Sequence, residues 1–234
     1  MYGYGYGYKN SLVVGAGGGF SNTKSLLFDG IDDYVDTGIT TGTNDVSISC
    51  WIKTTETFAY TESRCAFGGR DLTFGGSYTL GRLGSEFSTP DKMVVRIFNT
   101  EGTTKLNDGN WHHIAFTYNY TTKEVKAYVN GSLELTVTIA LFRSKAIAIG
   151  WNGTAQNFEG NADECGLWYS VLSASEITDI YNLGVPTDLS DLSPYGYWRN
   201  GDGDTYPTLT DNGSGGNDGT MENMSSEDIV TDTP

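Results

Sequence analysis

Apolar and polar residues alternate along much of this chain, and a period of two is typical of β-strands that bury one face. Val46, Ile48, Cys50 and Ile52 occupy every second position of one such run, which predicts that Cys50 faces the core. Further alternating runs cover residues 114–119, 125–129, 133–139 and 147–149. We therefore predict a protein built mainly from β-strands.

Turn and cap signals indicate how these strands are connected. Asn130-Gly131 lies between two alternating runs, and this dipeptide favours a type I′ hairpin turn because both central positions need positive φ. Residues 173–176 (Ser-Ala-Ser-Glu) have the capping-box pattern of a helix start, and Gly184 stands where such a helix often ends. The sequence thus predicts antiparallel hairpins with one short helix, not a repeating β-α-β arrangement.

Composition narrows the range of partners. Because 29 acidic residues outnumber 14 Lys and Arg residues, the net charge is −15. Such a charge repels nucleic-acid phosphates and anionic lipids, and no apolar run approaches the roughly 20 residues of a membrane span. We therefore expect neither a nucleic-acid partner nor membrane insertion. The odd set of Cys50, Cys65 and Cys165 predicts buried free thiols, not a disulfide framework.

The chain divides by composition into three segments. Residues 1–20 are rich in Gly and Tyr, residues 21–196 carry the strand patterns, and residues 197–234 form a polar, Gly-rich tail. The tyrosines that an extended first segment would place on one side are Tyr2, Tyr4, Tyr6 and Tyr8. This segment is either a disordered leader or an arm that orders on a partner. The second interpretation predicts a homo-oligomer or docking on other proteins of a particle.

Four segments together resemble the laminin G-like domains of the concanavalin A-like lectin/glucanase family. They stand in the family's order and cover residues 25–36 (SLLFDGIDDYVD), 46–53 (VSISCWIK), 108–131 and 158–177. This resemblance implies an all-β jelly roll: an antiparallel β-sandwich of two sheets, each with about six or seven strands, and one short helix.

The tail resembles a part of this family that normally comes first. Tyr197-Trp198 and residues 201–220 are similar to the family's first strand and loop, which usually precede the Phe-Asp-Gly motif found here at residues 28–30. Either the sandwich is permuted, with the tail in the place of the first strand, or the tail begins a truncated second copy. We favour the permuted sandwich, because too few residues follow Gly196 to fold as a second domain.

These motifs do not contain a convincing catalytic set. Glucanases of this fold resemble one another in a strand of alternating carboxylates, which brings the acidic groups to one face. Asp163 and Glu164 are adjacent here, so we expect them on opposite faces and unable to flank one glycosidic bond. His112 and His113 are also adjacent and would make a poor metal site. We predict that the protein is not an enzyme.

Acidic loops are the one chemical signal that points to a ligand. The residues at positions 1, 3, 5 and 12 of a calcium-loop spacing are Asn200, Asp202, Asp204 and Asp211. Thr205 replaces the glycine that an EF-hand requires, so this is not an EF-hand. A second group comprises Asp29, Asp32, Asp33 and Asp36. Calcium-supported loops are common in laminin G-like domains, so we predict structural Ca²⁺; solvated acidic turns are the alternative.

Two functions fit these features. The N-terminus has no basic start followed by an apolar stretch, so we expect no secretory signal. A lectin-like fold, no export signal and a Tyr/Gly arm suit a structural or adhesive protein of a phage particle, located in the virion, and the chain is similar to phage-encoded laminin G-like proteins. The alternative is a carbohydrate-binding module of a secreted bacterial protein. A surface glycan is the expected ligand.

Overall fold

The computed structural model describes residues 20–57, 59, 62–70, 81–86, 92–97, 99–139, 146–151 and 157–234. Its strands are β1 (Ser25–Asp29), β2 (Tyr34–Thr40), β3 (Val46–Lys53), β4 (Ser63–Cys65), β5 (Phe67–Arg70), β6 (Arg82–Ser85), β7 (Met93–Ile97), β8 (Thr100–Glu101), β9 (Trp111–Asn119), β10 (Glu124–Val129), β11 (Ser132–Thr138), β12 (Ala146–Ile149), β13 (Glu159–Trp168), β14 (Gly196–Trp198), β15 (Thr208–Leu209), β16 (Gly219–Glu222) and β17 (Ile229–Val230). The helix α1 (Ala174–Tyr181) lies between β13 and β14, and 3-10 helices cover Asn182–Gly184, Leu189–Leu192 and Ser226–Asp228.

Two β layers enclose the core. The first is an eight-stranded sheet in the order β11-β10-β9-β3-β13-β1-β17, with β14 paired to β13. The second contains a five-stranded sheet, β15-β16-β2-β12-β5, and a four-stranded sheet, β4-β6-β7-β8. The strand pairs are antiparallel, which confirms the predicted sandwich. The first sheet exceeds the six or seven expected strands because the tail adds β14 and β17 to it.

The main hydrophobic core lies between the layers and receives side chains from all three sheets. The inward positions of β3 contribute to it as the alternation predicts, and Cys50 is only 1% exposed. The outward positions of β3 are buried as well, because a second apolar cluster that includes Ile177 and Ile180 of α1 covers the outer face of the first sheet. All three cysteines are buried free thiols, as predicted.

The local signals for turns and caps are confirmed. Asn130 and Gly131 both have positive φ, 50° and 74°, in the turn between β10 and β11. The Ser173 side chain accepts from the backbone N–H of Glu176, and the Glu176 side chain accepts from Ser173, which completes the capping box. The helix ends at Asn182 in the left-handed conformation, earlier than Gly184. No helix within the described ranges is long and apolar enough to cross a membrane.

The tail contributes strands to both layers. β14 pairs with β13, β16 pairs with β2, and β17 pairs with β1. Trp198 of β14 is fully buried, and its ring meets Phe67 in an edge-to-face contact with 6.0 Å between centroids. Its indole N–H donates to the Asn217 carbonyl at 3.1 Å. The tail therefore contributes side chains to the main core, among them Trp198, Leu209 and Met221.

The substitution Trp198→Ala should lower the free energy of unfolding by about 3–5 kcal/mol, because it empties a fully buried aromatic site. Tyr206→Ala is the control in the same tail. Tyr206 is 41% exposed, so its loss should change stability by no more than about 0.5 kcal/mol. Denaturant unfolding measures both variants, and equal stability of Trp198→Ala and the native chain would contradict a core role for the tail.

Candidate functional site

Three of the predicted acidic residues meet in one loop. The carboxylate oxygens of Asp29, Asp32 and Asp33, called here the acidic loop, lie within 4.8 Å of one another between β1 and β2. Asp33 accepts from the backbone N–H of Asp29 at 3.0 Å, and Asp29 accepts from that of Ile31 at 2.8 Å. Asp36 does not join them, because it lies on β2 beyond the turn.

Electrostatics in the acidic loop favour a cation. Burial raises the pKa of Asp33 to about 6, the hydrogen bond from the Asp29 backbone opposes this, and the charges of Asp29, Asp228 and Asp32 add to the rise. Oxygen ligands grouped in this way are the type that Ca²⁺ prefers. These residues could therefore hold a hard cation, and calcium binding stays a prediction.

A cleft of about 400 Å³ opens beside the acidic loop. It is lined by Leu27, Phe28, Asp29, Lys53, Thr54, Thr55, Glu159, Gly160, Asn161 and Asp228. The Lys53 ammonium pairs with Asp232 at 2.6 Å, and the Trp111 indole N–H donates to the same carboxylate at 3.1 Å. The side-chain hydrogen bond from Lys53 lowers the pKa of Asp232. The volume suits a small ligand, but the one lysine in the lining is already neutralised.

An aromatic pair lies on the outer face of the five-stranded sheet. The rings of Tyr34 and Trp151 are 4.6 Å apart between centroids, inclined by 46°, and both side chains are half-buried. Register places Glu222 opposite Tyr34 and Thr220 opposite Asp36, and the residues between them on β2 and β16 face the core. We call Tyr34, Asp36, Trp151, Thr220 and Glu222 the aromatic platform. It combines apolar ring surface with carboxylate and hydroxyl groups.

A family model agrees with this architecture. The model of the concanavalin A-like lectin/glucanases superfamily, Laminin_G_3, matches residues 29–178, which is more than half of the chain. The chain belongs to this superfamily. The match confirms the resemblance seen in the sequence motifs. No curated protein matches the chain significantly.

Several solved structures have a similar fold at low sequence identity to this chain. A candidate carbohydrate-binding protein from Bacteroides ovatus ATCC 8483 has a TM-score of 0.65 and 17% identity over 91% of this chain, which spans 60% of that protein. A heptameric SAP-like pentraxin from Limulus polyphemus has a TM-score of 0.52 and 12% identity, covering 68% of this chain and 82% of its own. The full extracellular region of zebrafish Gpr126/Adgrg6 has a TM-score of 0.51 and 12% identity. The match covers 91% of this chain and 26% of that protein. These likenesses concern the fold.

The adjacent acids Asp163 and Glu164 are not arranged as predicted. A β-bulge interrupts the pairing of β13 with β3 between Asp163 and Gly166, and Glu164 has a φ of 46°. The bulge breaks the alternation of faces. Asp163 stands opposite Trp51 on the outer side, and Glu164 accepts from the Tyr197 hydroxyl, which belongs to the outer cluster. The prediction of opposite faces is therefore wrong. We call these two residues the buried acid pair, because they are 0% and 1% exposed.

The tail carboxylates predicted as calcium ligands have separate positions. Asp204 accepts from the backbone N–H groups of Gly201 and Thr210 at 2.9 and 2.8 Å. Asp211 accepts from Tyr197, Gly213 and Asn217 at 2.7–2.8 Å. Asp202 accepts from residues before β1. The structure does not bring these three carboxylates into one cluster, and each one fastens backbone of the tail or of the N-terminal segment.

The side chains of His112 and His113 do not converge on a common site. His112 bonds Asp108 at 3.0 Å and Asn130 at 3.1 Å. His113 bonds the Ser49 hydroxyl at 2.7 Å, and burial lowers its pKa to about 3, so the ring is neutral. The arm tyrosines Tyr2, Tyr4, Tyr6 and Tyr8 lie outside the described residues. Sequence reasoning missed the aromatic platform, because no local pattern links Tyr34 to Trp151.

If the acidic loop binds calcium, the ion should raise thermal stability. Binding to the folded state alone would add about 2.7 kcal/mol at a hundredfold excess over Kd. Melting curves of the native chain in millimolar calcium and in EDTA measure this, and Asp32→Asn should abolish the difference. Asp204→Asn is the control, because Asp204 lies outside the acidic loop. Identical curves in the two solutions would leave the acidic loop as a solvated turn.

Proposed function

We propose that this chain is a non-enzymatic carbohydrate-binding domain whose sugar-contacting surface is the aromatic platform. The observation that carries the proposal is the Tyr34–Trp151 ring pair beside polar side chains on one face of a sheet. Sugar rings present apolar C–H faces and hydroxyl groups on the same molecule. Aromatic surface with a few placed carboxylate and hydroxyl groups offers a partner to both.

The net charge of the protein also favours a neutral sugar over an anionic ligand. The net charge of −15 repels anionic partners, but a neutral glycan carries no charge to be repelled. The carboxylates of Asp36 and Glu222 can accept hydrogen bonds from sugar hydroxyls, and the Thr220 hydroxyl can both donate and accept. A neutral or weakly polar oligosaccharide is therefore the ligand class that we propose.

The comparisons lend support at the level of the fold. The superfamily is described as lectins and glucanases, and one similar structure is a candidate carbohydrate-binding protein. Burial of the acid pair supports the non-enzymatic proposal for these two residues alone, because protein covers both Asp163 and Glu164 in the closed form described here.

The biological setting stays a prediction. The adhesive role on a phage particle rests on the lectin-like fold together with the features of the N-terminal segment, of which residues 1–19 lie outside the described residues. The role as a module of a secreted bacterial protein rests on the superfamily and the aromatic platform. Both settings use the same glycan-binding surface, so one binding experiment tests the function that they share.

A glycan array followed by calorimetry on the best ligand tests the proposal. Trp151→Ala and Tyr34→Ala should each weaken binding by about tenfold or more, because each removes one ring from the contact surface. Tyr120→Ala is the matched control, since Tyr120 is 40% exposed and lies after β9, away from the platform. Unchanged melting temperatures should accompany the loss of binding. Failure of the native chain to bind any glycan, or equal affinity of all three variants, would overturn the proposal.

A further inference from the structure

The segment before β1 is tied to the protein by polar contacts. We call residues 20–24 the N-terminal strap. The backbone N–H of Thr23 donates to the Asp202 carboxylate at 2.8 Å, and the Thr23 hydroxyl donates to the same carboxylate at 2.6 Å. The Lys24 N–H reaches the same carboxylate at 3.4 Å. The Asn22 side chain donates to Asp163 of the buried acid pair at 2.8 Å. The strap thus covers the acid pair and is held partly by it.

One arginine connects the strap to the other half of the acid pair. Arg199 donates to the Ser21 carbonyl at 2.5 Å, and its guanidinium lies 4.7 Å from the centre of the Phe20 ring. The same side chain approaches Glu164 at 3.4 Å and Asp202 at 3.5 Å. Arg199 is therefore the cation shared by the strap, the acid pair and Asp202.

The location follows from the pairing of β13. One edge of β13 pairs with β1 over residues 159–162 and with β14 over residues 165–167. The bulge occupies the gap between these two partners. The chain before β1 and the chain after β14 both leave the sheet at this gap, so the strap and Arg199 meet above the acid pair.

Charge at this junction is unbalanced when every acid is ionised. The groups that face the acid pair are Tyr197 and Arg199 from β14 and its end, Asp202 from the tail, Asn22 from the strap, and Cys165 on β13 itself. Arg199 is the one cation among them, against three carboxylates. Two buried carboxylates with a single cation cost free energy, and exposure to water removes that cost.

We propose that the N-terminal strap is a proton-controlled latch: it stays closed while the buried acid pair holds a proton, and it opens when both carboxyls are ionised. Opening would admit water to Asp163 and Glu164 and would free the chain before β1 from the sandwich. The sandwich itself would persist, because the pairing of β1 with β13 does not involve the strap.

The titration of the pair supports a pH near neutrality for this change. Burial raises the pKa of Glu164 to about 7, although Tyr197 and Arg199 oppose the rise. Burial, and after it the charge of Glu164, raises the pKa of Asp163 well above its usual value, although the hydrogen bond from Asn22 of the strap opposes this rise. Because the closed form holds these protons more tightly than an open form, the closed state is favoured at low pH. Its advantage declines as pH rises above the ordinary carboxyl range and is lost as pH passes about 7.

Amide exchange of Thr23 and Lys24 in the full chain tests the latch, since both N–H groups donate to Asp202. Protection factors, which correct for the pH dependence of intrinsic exchange, should fall by about tenfold between pH 6 and pH 9. The amides of β9 should keep their protection. A flat profile for Thr23 and Lys24 in the native chain would overturn the proposal.

Two variants separate the latch from a general effect of pH. Glu164→Gln removes the carboxyl whose pKa is about 7, so the fall in strap protection should shrink to less than about threefold. Asp163→Asn leaves one buried carboxylate opposite the single cation Arg199 at high pH, so the same smaller fall is expected. Glu159→Gln is the matched control, because Glu159 is an exposed acid on the same strand and should keep the full pH response. If both acid-pair variants stay folded and retain the tenfold fall, the acid pair does not control the strap.

Discussion

The pairing of β13 is the constraint on which the rest of the structure depends. Three separate parts of the chain complete the first sheet by bonding to this strand: β3 on one edge, and β1 and β14 end to end on the other. Two of these partners come from opposite ends of the described chain. Without them, the core side chains Leu26 and Trp198 would lose the strands that hold them.

The bulge in β13 interrupts its pairing with β3 at the same residues where its other edge passes from β1 to β14. Residues 163 and 164 pair with neither of those two strands. The unusual backbone of Glu164 and the burial of Asp163 arise at the same place. The buried acid pair therefore lies at the bulge, beneath the N-terminal strap.

The two outer faces of the sandwich differ in the side chains that cover them. Helix α1 and the segments around it cover the outer face of the first sheet with apolar side chains, so this face is structural. The outer face of the five-stranded sheet instead carries half-exposed aromatic and polar groups around Tyr34 and Trp151. Binding of a glycan is therefore proposed at the aromatic platform, whose two rings are only half-buried.

Local patterns were sufficient to predict β3, β9, β10, β11 and β12, the Asn130-Gly131 turn, the capping box at Ser173 and the superfamily, because each depends on residues close in sequence. The acidic loop was also predictable, since Asp29, Asp32 and Asp33 belong to one turn. Tertiary structure alone decided that Asp163 and Glu164 share one side and that Tyr34 meets Trp151. It also separated Asp202, Asp204 and Asp211, whose spacing suggested one site. Each of these outcomes depends on register between distant strands or on backbone hydrogen bonds, which no local pattern contains.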